Sequence, residues 1–476
     1  MRRNDPPRPY QPLITDRILD QKRTNIWVPI GMGKTRPTLE ALNTLQLIDD
    51  TPALILAPYR VANSTWPDEA AKWQSLEGFS VQPVLGTPAE RLAALRTPAS
   101  AYSINDENIE WLIDHYGKKP WPFRTVVRDE STRFKGFRLR QGTKRSKAIA
   151  KLAHTQIDRW INLTGTPAPN GLKDLWGQNW FVDEGKRLGR TFDAFAQRWF
   201  STYSESKPTR DGKWSFKVPV TRPLEHAERE IHAALADVCM ALDPKDWFDL
   251  KTPVETTIEV ELPPRARALY AQMEKQMFME LDGIGVEAFN AASKTNKCLQ
   301  IASGFAFIDD EGGWRDIHDV KLQALESVIE EAAGAQVLCA YWFKPSLQHL
   351  QRAFPKARVL DKDPQTIRDW NAGRIGTLLA HPQSAGHGLN MAEGGCIAAI
   401  YGDWWNSELH DQILGRVGPV RQAQLGDKAQ VAMIHTIVAK DTIDEVVQER
   451  HRTNGSTQDL LRKYMNAKKG ITHAHR

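Results

Sequence analysis

The sequence predicts an α/β protein made of two lobes, each with a parallel β-sheet flanked by helices. Short apolar runs alternate with amphipathic stretches in the first half of the chain, and the same alternation returns in the second half. A polar segment rich in charge, Pro and Trp separates the two halves. Strands that alternate with helices are typical of βαβ units, in which helices cover the faces of a parallel sheet.

Apolar runs of four to eight residues predict the buried strands, and amphipathic stretches predict the helices. In the first half, the predicted strands are Asn25–Pro29, Ala53–Ala57, Tyr102–Asn105, Thr125–Arg128 and Trp160–Thr164, and the helices include Thr38–Ile48 and Thr65–Trp73. In the second half, the strands are Gln336–Trp342, Thr377–Ala380, Ile397–Tyr401 and Val431–Val438, and the helices include Val320–Ala333 and Ser346–Ala353.

These elements predict four segments. Residues 1–202 form the first lobe, 203–264 a linker or insertion, 265–452 the second lobe, and 453–476 a polar, partly basic tail. The linker contains the polar sequence SESKPTRDGKW, which predicts irregular structure rather than sheet.

The charge balance permits a nucleic-acid partner without requiring one. The 476 residues include 63 Lys and Arg against 58 Asp and Glu, a formal net charge of +5. The first residues lack the apolar run of a secretory signal, and no stretch reaches the ~18 apolar residues that span a bilayer. We therefore expect a soluble cytoplasmic protein with no membrane partner.

Metal sites made of Cys or His are not expected. The four Cys lie far apart without a CxxC pair, which argues against a disulfide framework and against a Cys-based zinc site. The His residues are scattered without ligand spacing, so we expect them at the surface or in the core.

The sequence IWVPIGMGKTRPTLEAL has the pattern of a phosphate-binding loop. An apolar run leads into Gly31-Met32-Gly33-Lys34-Thr35, and a helical pattern follows. Glycines in such a loop let backbone N–H groups surround an anion at a helix N-terminus. Lys34 would reach the β- and γ-phosphates, and the Thr35 hydroxyl would help to hold Mg²⁺. Val28 replaces the first Gly of the strict pattern, so a Gly-rich turn with an exposed Lys is the alternative.

An acidic pair ends the β-branched run in FRTVVRDEST. At the carboxyl end of a parallel strand, Asp129 could bind Mg²⁺ through water, and Glu130 could accept a proton from an attacking water. The alternative is a surface acidic pair. Arg128 occupies a position where an apolar residue is expected in a buried strand.

Seven motifs occur together in one order along the chain. They are GMGKT, ALILAPYRVANSTWPDEAAKW, YSINDENIEWL, DEST, LTGTPAPNGLKDLW, HPQSAGHGLNM and DWWNSELHDQILGR. In this order the chain resembles the superfamily 2 helicase-type ATPases, in particular the Swi/Snf-like branch and its small phage-encoded members. The resemblance covers nearly the whole chain. It implies two tandem RecA-like lobes with an ATP site in the cleft between them, ATP and Mg²⁺ as cofactors, and nucleic acid as partner, with duplex DNA favoured.

The resemblance also implies roles for individual residues. Gln11 matches the glutamine that reads the adenine edge, although an exposed polar residue in a Pro-rich start is the alternative. Thr164, Thr166 and Gln412 would couple the ATP site to nucleic acid, and Gly388 would contact ATP. The residues that would contact nucleic acid are Pro58, Arg60, Asn105, Ser384, Gly386, His387 and Asn390. Contacts of this kind grip the phosphate backbone without reading its sequence.

The sequence HDQILGRVGPVRQ departs from the family pattern of two arginines three residues apart. Arg416 matches the first, but Pro419 stands where the second, γ-phosphate-contacting arginine belongs. We favour Arg421 as a shifted arginine finger because the Gly-Pro turn could re-aim it, and Arg416 alone is the fallback. For the nearby Trp404 and Trp405, core packing is favoured over base stacking.

The predicted function is an ATP-dependent nucleic-acid motor that hydrolyses ATP to move along the phosphate backbone or to separate strands. A phage-encoded motor would act in the cytoplasm of a bacterial host, with replication or recombination proteins as further partners. Two alternatives stay open: an ATP-gated DNA clamp or loader with little turnover, and a motor subunit that serves a partner nuclease.

Overall fold

A computed structural model describes the backbone of residues 2–117, 119–208, 215–282, 288–307, 313–385, 389, 391–453, 460–461 and 464–465. The chain divides into two compact units. The first comprises Met1–Tyr203 and Val220–Asp249, and the second comprises Ser204–Pro219 and Leu250–Arg476. None of the described helices is both long and apolar enough to cross a membrane.

The first unit is built on a seven-stranded sheet. The strands of residues 1–249 are β1 Arg23–Trp27, β2 Ala53–Leu56, β3 Val81–Pro83, β4 Ala101–Ile104, β5 Thr125–Asp129, β6 Arg159–Thr164, β7 Phe200–Pro208, β8 Ser215–Pro223 and β9 Cys239–Ala241. The helices are α1 Gln11–Asp20, α2 Thr35–Leu45, α3 Trp66–Lys72, α4 Pro88–Arg96, α5 Ile109–Tyr116, α6 Lys144–Ala153, α7 Asp174–Asp183, α8 Phe192–Trp199 and α9 Ala227–Leu235. The sheet order is β3-β4-β2-β5-β6-β1-β9, and every neighbouring pair runs parallel.

The second unit is built on a six-stranded sheet. The described strands after residue 249 are β10 Val254–Val260, β11 Phe305–Phe307, β12 Trp314–Asp316, β13 Val337–Ala340, β14 Arg358–Val359, β15 Thr377–Ala380, β16 Ile397–Ile400 and β17 Met433–Ala439. Its helices are α10 Pro264–Asp282, α11 Ala288–Ala302, α12 Val320–Glu331, α13 Lys344–Ala353, α14 Pro364–Asn371, α15 Pro382–Ala385, α16 Ser407–Leu414, α17 Pro419–Ala423 and α18 Ile443–Thr453. The order β10-β17-β16-β13-β15-β14 is again parallel throughout.

The predicted fold class is confirmed, because both units contain a parallel sheet with helices between the strands. Every strand predicted from an apolar run is present, with ends that shift by at most two residues. The reason is burial: β2, β4, β13 and β16 are buried along their whole length, and apart from Ser103 in β4 their residues are apolar, so each strand appears in the sequence as a short apolar run.

The prediction that residues 203–264 lack sheet structure is wrong. β7 and β8 form a two-stranded sheet, β9 joins the edge of the first sheet, and β10 joins the edge of the second. An edge strand can leave side chains in water, and most of β10 is exposed, so its sequence VETTIEV has no continuous apolar run. Residues 209–214 of the polar sequence lie outside the described residues.

Candidate functional site

The predicted residues of the first unit gather at one edge of its sheet. Strands β5, β6 and β1 are neighbours in the sheet, and the carboxyl ends of parallel strands meet at the same edge. The Gly-rich loop follows β1, Asp129 ends β5, and Thr164 ends β6. The three motifs of the phosphate site therefore lie side by side.

The Gly-rich loop has the backbone that its sequence predicts. Gly31 and Gly33 have positive φ angles of 95° and 68°, a conformation that glycine adopts without steric cost. Lys34 Nζ donates a hydrogen bond to the Val28 carbonyl across the loop (2.7 Å), and α2 begins at Thr35. Val28, which replaces the first Gly of the strict pattern, thus contributes its carbonyl to the loop.

Tyr10 and Gln11 hold the Gly-rich loop from the start of α1. The Tyr10 hydroxyl donates to the Met32 carbonyl (2.8 Å), and Gln11 Nε2 donates to the Gly33 carbonyl (3.2 Å). The Gln11 Oε1 atom accepts from the Arg8 N–H (2.9 Å). Gln11 is buried rather than exposed, and its amide lies against the loop. Its predicted contact with adenine stays a prediction.

The Asp129 carboxylate is held by two donors. Trp66 Nε1 donates to Oδ2 (3.0 Å) and the Glu130 N–H donates to Oδ1 (3.1 Å). Burial raises the pKa of Asp129 above its ordinary value, although the Lys34 charge and the Trp66 hydrogen bond act in the opposite direction. Burying this negative charge is costly, and a bound divalent cation would offset the cost. Asp129, next to Lys34, therefore fits a cation site.

Glu130 has an unusual backbone. Its φ and ψ angles are 56° and 62°, in the left-handed region, which costs a residue with a side chain about 1–2 kcal/mol. Strain of this kind persists where the surrounding structure enforces it, and it is common at active sites. Here it separates β5 from the turn at 131–134.

Arg128, unexpected in a buried strand, is paired. Its guanidinium makes a two-bond ion pair with Asp106 (2.6 and 3.1 Å) and also donates to the Leu56 carbonyl (3.2 Å). Arg133 donates to the same Asp106 carboxylate (2.9 Å). Burial raises the pKa of Asp106, but the two arginine charges outweigh burial and the net pKa is lowered. The ion pair joins the end of β5 to the loop after β4.

The Thr164–Thr166 segment packs directly on the Gly-rich loop. The Val28 N–H donates to the Thr164 carbonyl (3.0 Å), and the Thr166 N–H donates to Thr164 Oγ1 (3.2 Å). A Cβ on Gly165 would lie 3.0 Å from the Ile30 side chain and 3.1 Å from its backbone nitrogen. Only glycine allows the two segments to approach this closely. Because their backbones are in contact, a movement of Thr166 can be transmitted to the Gly-rich loop.

A buried glutamine links the acidic motif to the segment after Thr166. Gln178 Oε1 accepts from the Ser131 hydroxyl (2.7 Å), and Gln178 Nε2 donates to the Pro167 carbonyl (2.5 Å). A buried amide that satisfies both partners holds them in a fixed geometry.

The predicted nucleic-acid residues of the first unit follow β2 and β4 at the same edge. Pro58 is buried and Arg60 half-buried, and Arg60 precedes a π-helical turn over Val61–Thr65 that runs into Trp66. Asn105 is buried, and its amide bonds with Glu107 (2.6 Å) and Asn108 (2.6 Å) inside its own loop.

The second unit places its predicted residues on helices after β15 and β16. Ser384 lies in α15, whereas Gly386, His387, Gly388 and Asn390 lie outside the described residues. Gln412 is buried in α16. Arg416 is buried and donates to the Leu389 carbonyl (2.9 Å).

The Gly418-Pro419 pair was expected to form a turn that re-aims Arg421. In the structure it begins the short helix α17. Gly418 caps the helix and Pro419 is its first residue, where a missing N–H costs little. Arg421 therefore lies on α17, partly exposed. Trp404 is fully buried and stacks on Trp342 with ring centres 5.8 Å apart, which confirms core packing for Trp404.

Tyr10, Trp66, Asp106 and Gln178 are functional candidates that the sequence did not reveal. Trp66 and Asp106 lie within two of the seven motifs but were given no role there, and Tyr10 and Gln178 lie outside the seven motifs. Their polar or aromatic character was the only signal in the sequence. It does not reveal their partners, because the two residues of a contact lie up to 63 positions apart in the chain.

Comparisons with known proteins show which family this chain is similar to. Residues 29–303 match the SNF2-related domain family. Protein p41 of Acyrthosiphon pisum secondary endosymbiont phage 1 is 52% identical over 465 residues, which cover 97% of this chain and 99% of p41. The transcription regulatory protein SNF2 of Saccharomyces cerevisiae is 21% identical over 459 residues, 88% of this chain but a quarter (25%) of the yeast protein. The Sulfolobus solfataricus SWI2/SNF2 ATPase core in complex with dsDNA has 19% identity and a TM-score of 0.43, covering 94% of this chain and 90% of that one.

Proposed function

Because the chain belongs to the SNF2-related family of superfamily 2 ATPases, we propose that it is a DNA-dependent motor that hydrolyses Mg-ATP to move along duplex DNA. One observation supports this proposal most strongly. Lys34, Asp129 and the Thr164–Thr166 segment lie at the ends of three adjacent parallel strands, where a nucleotide phosphate and its metal ion can be bound together.

In the proposed reaction, the Gly-rich loop binds the phosphates through its backbone N–H groups, and Lys34 binds the β- and γ-phosphates. Thr35 and Asp129 supply oxygen ligands of the kind that Mg²⁺ prefers, Asp129 partly through water. The ion would neutralise charge that develops on the transferred phosphoryl group. Glu130, which has a left-handed backbone at the end of β5, would orient the attacking water and accept its proton.

Two side-chain contacts offer a route from DNA to the ATP site. The loop that carries Pro58 and Arg60 leads through a π-helical turn to Trp66, which donates to Asp129. The loop after β4 is held to β5 by the ion pair of Asp106 and Arg128. We infer that DNA bound at these loops shifts the end of β5 and so changes the rate of hydrolysis.

The first test is steady-state ATP hydrolysis without nucleic acid, and then with single-stranded DNA, duplex DNA or RNA. We expect duplex DNA to stimulate the wild type most. Lys34→Ala and Glu130→Gln should reduce the stimulated rate by about 10²–10⁴-fold, the usual range for losing a positioned catalytic group. The exposed Lys22, which precedes β1, provides the matched control Lys22→Ala, and its rate should equal that of the wild type.

A negligible rate under every condition would contradict the motor. An ATP hydrolysis rate that is measurable but unchanged by duplex DNA would contradict the DNA dependence and leave the ATPase activity standing. Translocation is then measured separately, by displacement of a triplex-forming strand from duplex DNA, and strand separation by release of a labelled strand.

An ATP-gated clamp is the second candidate, favoured by Pro419 at the position of the second family arginine. A clamp should bind ATP and DNA tightly but release phosphate very slowly in a single turnover. A single-turnover rate that equals the steady-state rate of a stimulated motor would exclude it.

A further inference from the structure

Three potential metal ligands converge in the second unit, far from the Gly-rich loop in sequence. Asp403 follows β16, His410 lies in α16 and His451 lies in α18, and their ligand atoms all lie within 4.8 Å of one another. This cluster could not be predicted from the sequence, because His410 and His451 belong to different helices and have no ligand spacing. The expectation that the His residues are only surface or core residues is therefore incomplete.

Asp403 contributes a buried carboxylate with one oxygen that accepts no hydrogen bond from the described residues. Its Oδ1 atom lies 3.0 Å from His451 Nε2 and accepts from the Trp404 N–H (2.8 Å). Its Oδ2 atom is buried and has no hydrogen-bond partner among the described residues. A buried carboxylate oxygen that lacks a donor is costly, and a cation would satisfy it.

The spacing of the donors fits one ion. With zinc bonds of about 2.0–2.1 Å in a tetrahedron, two ligand atoms lie roughly 3.3 Å apart. His451 Nε2 lies 3.0 Å from Asp403 Oδ1, within hydrogen-bond distance and close to this value. It also lies 2.7 Å from the Trp404 carbonyl oxygen, and an ion bound at Nε2 would replace both contacts. Two imidazoles and one carboxylate are also a donor set that suits zinc and similar transition metals, with a fourth position left for water.

We propose that Asp403, His410 and His451 form a binding site for a divalent transition-metal ion of the zinc type. The ion would join the end of β16, α16 and α18, and so brace the helix that carries Gln412 and leads to Arg416. It is a second metal site, distinct from the magnesium ligands proposed in the first unit.

Binding requires one movement. The rings of His410 and His451 are stacked with centres 3.9 Å apart and planes 8° from parallel, whereas a metal ion lies in the plane of each imidazole that binds it. His410 must therefore turn about its side-chain bonds. It is partly exposed (13%) and lines a cavity of about 560 Å³ together with Asp403 and His451, so the space for this turn is present.

The site is tested by metal titration of the full chain, stripped with a chelator and free of ATP and DNA. The sequence also contains His473 and His475, which offer a competing pair of imidazoles, so both are replaced by Gln in the protein used. We expect one equivalent of Zn²⁺ to bind in competition with a chromophoric chelator. Co²⁺ should give the visible absorption of a nitrogen-ligated site with low coordination number, and Zn²⁺ should raise the thermal midpoint of the second unit.

Variants decide whether these three residues are the ligands. His410→Ala removes a partly exposed side chain and should weaken binding at least about tenfold, since changes in supporting residues alone cost 10–100-fold. Asp403→Asn, similar in size, should weaken it as much. The matched controls are His232→Ala, an exposed histidine on α9, and Asp129→Asn, which removes the proposed magnesium ligand, and neither should change the Co²⁺ spectrum.

No saturable binding, or binding that survives both His410→Ala and Asp403→Asn, would overturn the proposal. Because the titration contains no nucleotide, its outcome is independent of whether the protein is a DNA-dependent motor. Circular dichroism of the metal-free variants separates loss of a ligand from loss of the fold.

Discussion

The two units hold the functional edges of their sheets by different means. In the first unit, buried side chains bond directly to the acidic motif: Trp66 to Asp129, Asp106 to Arg128, and Gln178 to Ser131. In the second unit, the candidate arginines lie on or beside the short helices α16 and α17 after β16, and Arg416 bonds to a backbone carbonyl.

The difference indicates where each edge tolerates change. Side-chain contacts that are buried and fully bonded hold a group within a narrow geometry, and removing one partner leaves the other unsatisfied. Arg421, by contrast, lies partly exposed on a five-residue helix. We therefore expect the edge of the first unit to tolerate substitutions less well than α17 does.

The largest expected effect concerns the arginine finger. If Arg421 contacts the γ-phosphate, Arg421→Ala should lower kcat by about 10³-fold or more, with ATP binding retained, because a finger acts on charge that develops in the transition state. Single-turnover hydrolysis and binding of a fluorescent ATP analogue measure the two effects separately. Arg421→Lys should restore little, since a point charge does not reproduce the planar fork.

Arg416→Ala serves as the comparison for Arg421. Arg416 is buried and bonded to Leu389, so its loss should reduce stability as well as activity. A full rate in Arg421→Ala beside an inactive but folded Arg416→Ala would assign the finger to Arg416 instead.

The next effect tests the buried ion pair of the first unit. Arg128→Met leaves the Asp106 carboxylate buried with Arg133 as its remaining cation, and should destabilise the first unit by about 3–5 kcal/mol. The double variant Arg128→Met with Asp106→Asn should recover part of that loss. Hydrogen exchange of the β5 amides reports the free energy of unfolding of this unit. Arg124→Met is the control, because Arg124 and its partner Asp158 are exposed, and it should have little effect.

The same pair gives a pH dependence with a defined sign. Arg128 and Arg133 lower the pKa of Asp106 below its unfolded value of about 3.9. The stability from this carboxylate is therefore fully present above that value and is lost as the pH falls through the lowered folded pKa. In Asp106→Asn this acid-dependent part should disappear, and an unchanged pH profile would show that Asp106 contributes no linked stability.

The sequence was sufficient for most of the fold because the buried strands are mainly apolar and appear as short apolar runs. Buried polar residues such as Arg128 in β5 and Asn162 in β6 are exceptions, and both are paired. It failed for β9, which has only three residues, and for β10 and the β7–β8 pair, which carry many polar residues. At the site, local patterns located the Gly-rich loop, Asp129 and Thr164, since each motif is contiguous in sequence. Contacts such as Trp66 with Asp129, or Asp403 with His451, join distant residues, and only the packing of the units brings them together.

The smallest expected effect isolates one hydrogen bond. Trp66→Phe keeps an aromatic ring in the core but removes the N–H that bonds to Asp129, a bond to a charged group worth about 1.5–3 kcal/mol. We expect kcat to fall by roughly tenfold, which corresponds to about 1.4 kcal/mol. Because the Trp66 bond opposes the raised pKa of Asp129, its loss should move the acid limb of the rate profile to higher pH.

The control for this bond is Trp176→Phe. Trp176 is also buried in the first unit, but its ring N–H donates to the Gly189 carbonyl (2.9 Å) rather than to the Asp129 carboxylate. Both variants lose a similar hydrogen bond and a similar volume, so a general loss of stability should appear in both. Only Trp66→Phe should shift the pH profile, because of the two tryptophans only Trp66 bonds to the carboxylate of Asp129, the proposed Mg²⁺ ligand. Equal profiles in the two variants would reduce Trp66 to a packing residue and would remove one of the two proposed routes from DNA to the ATP site.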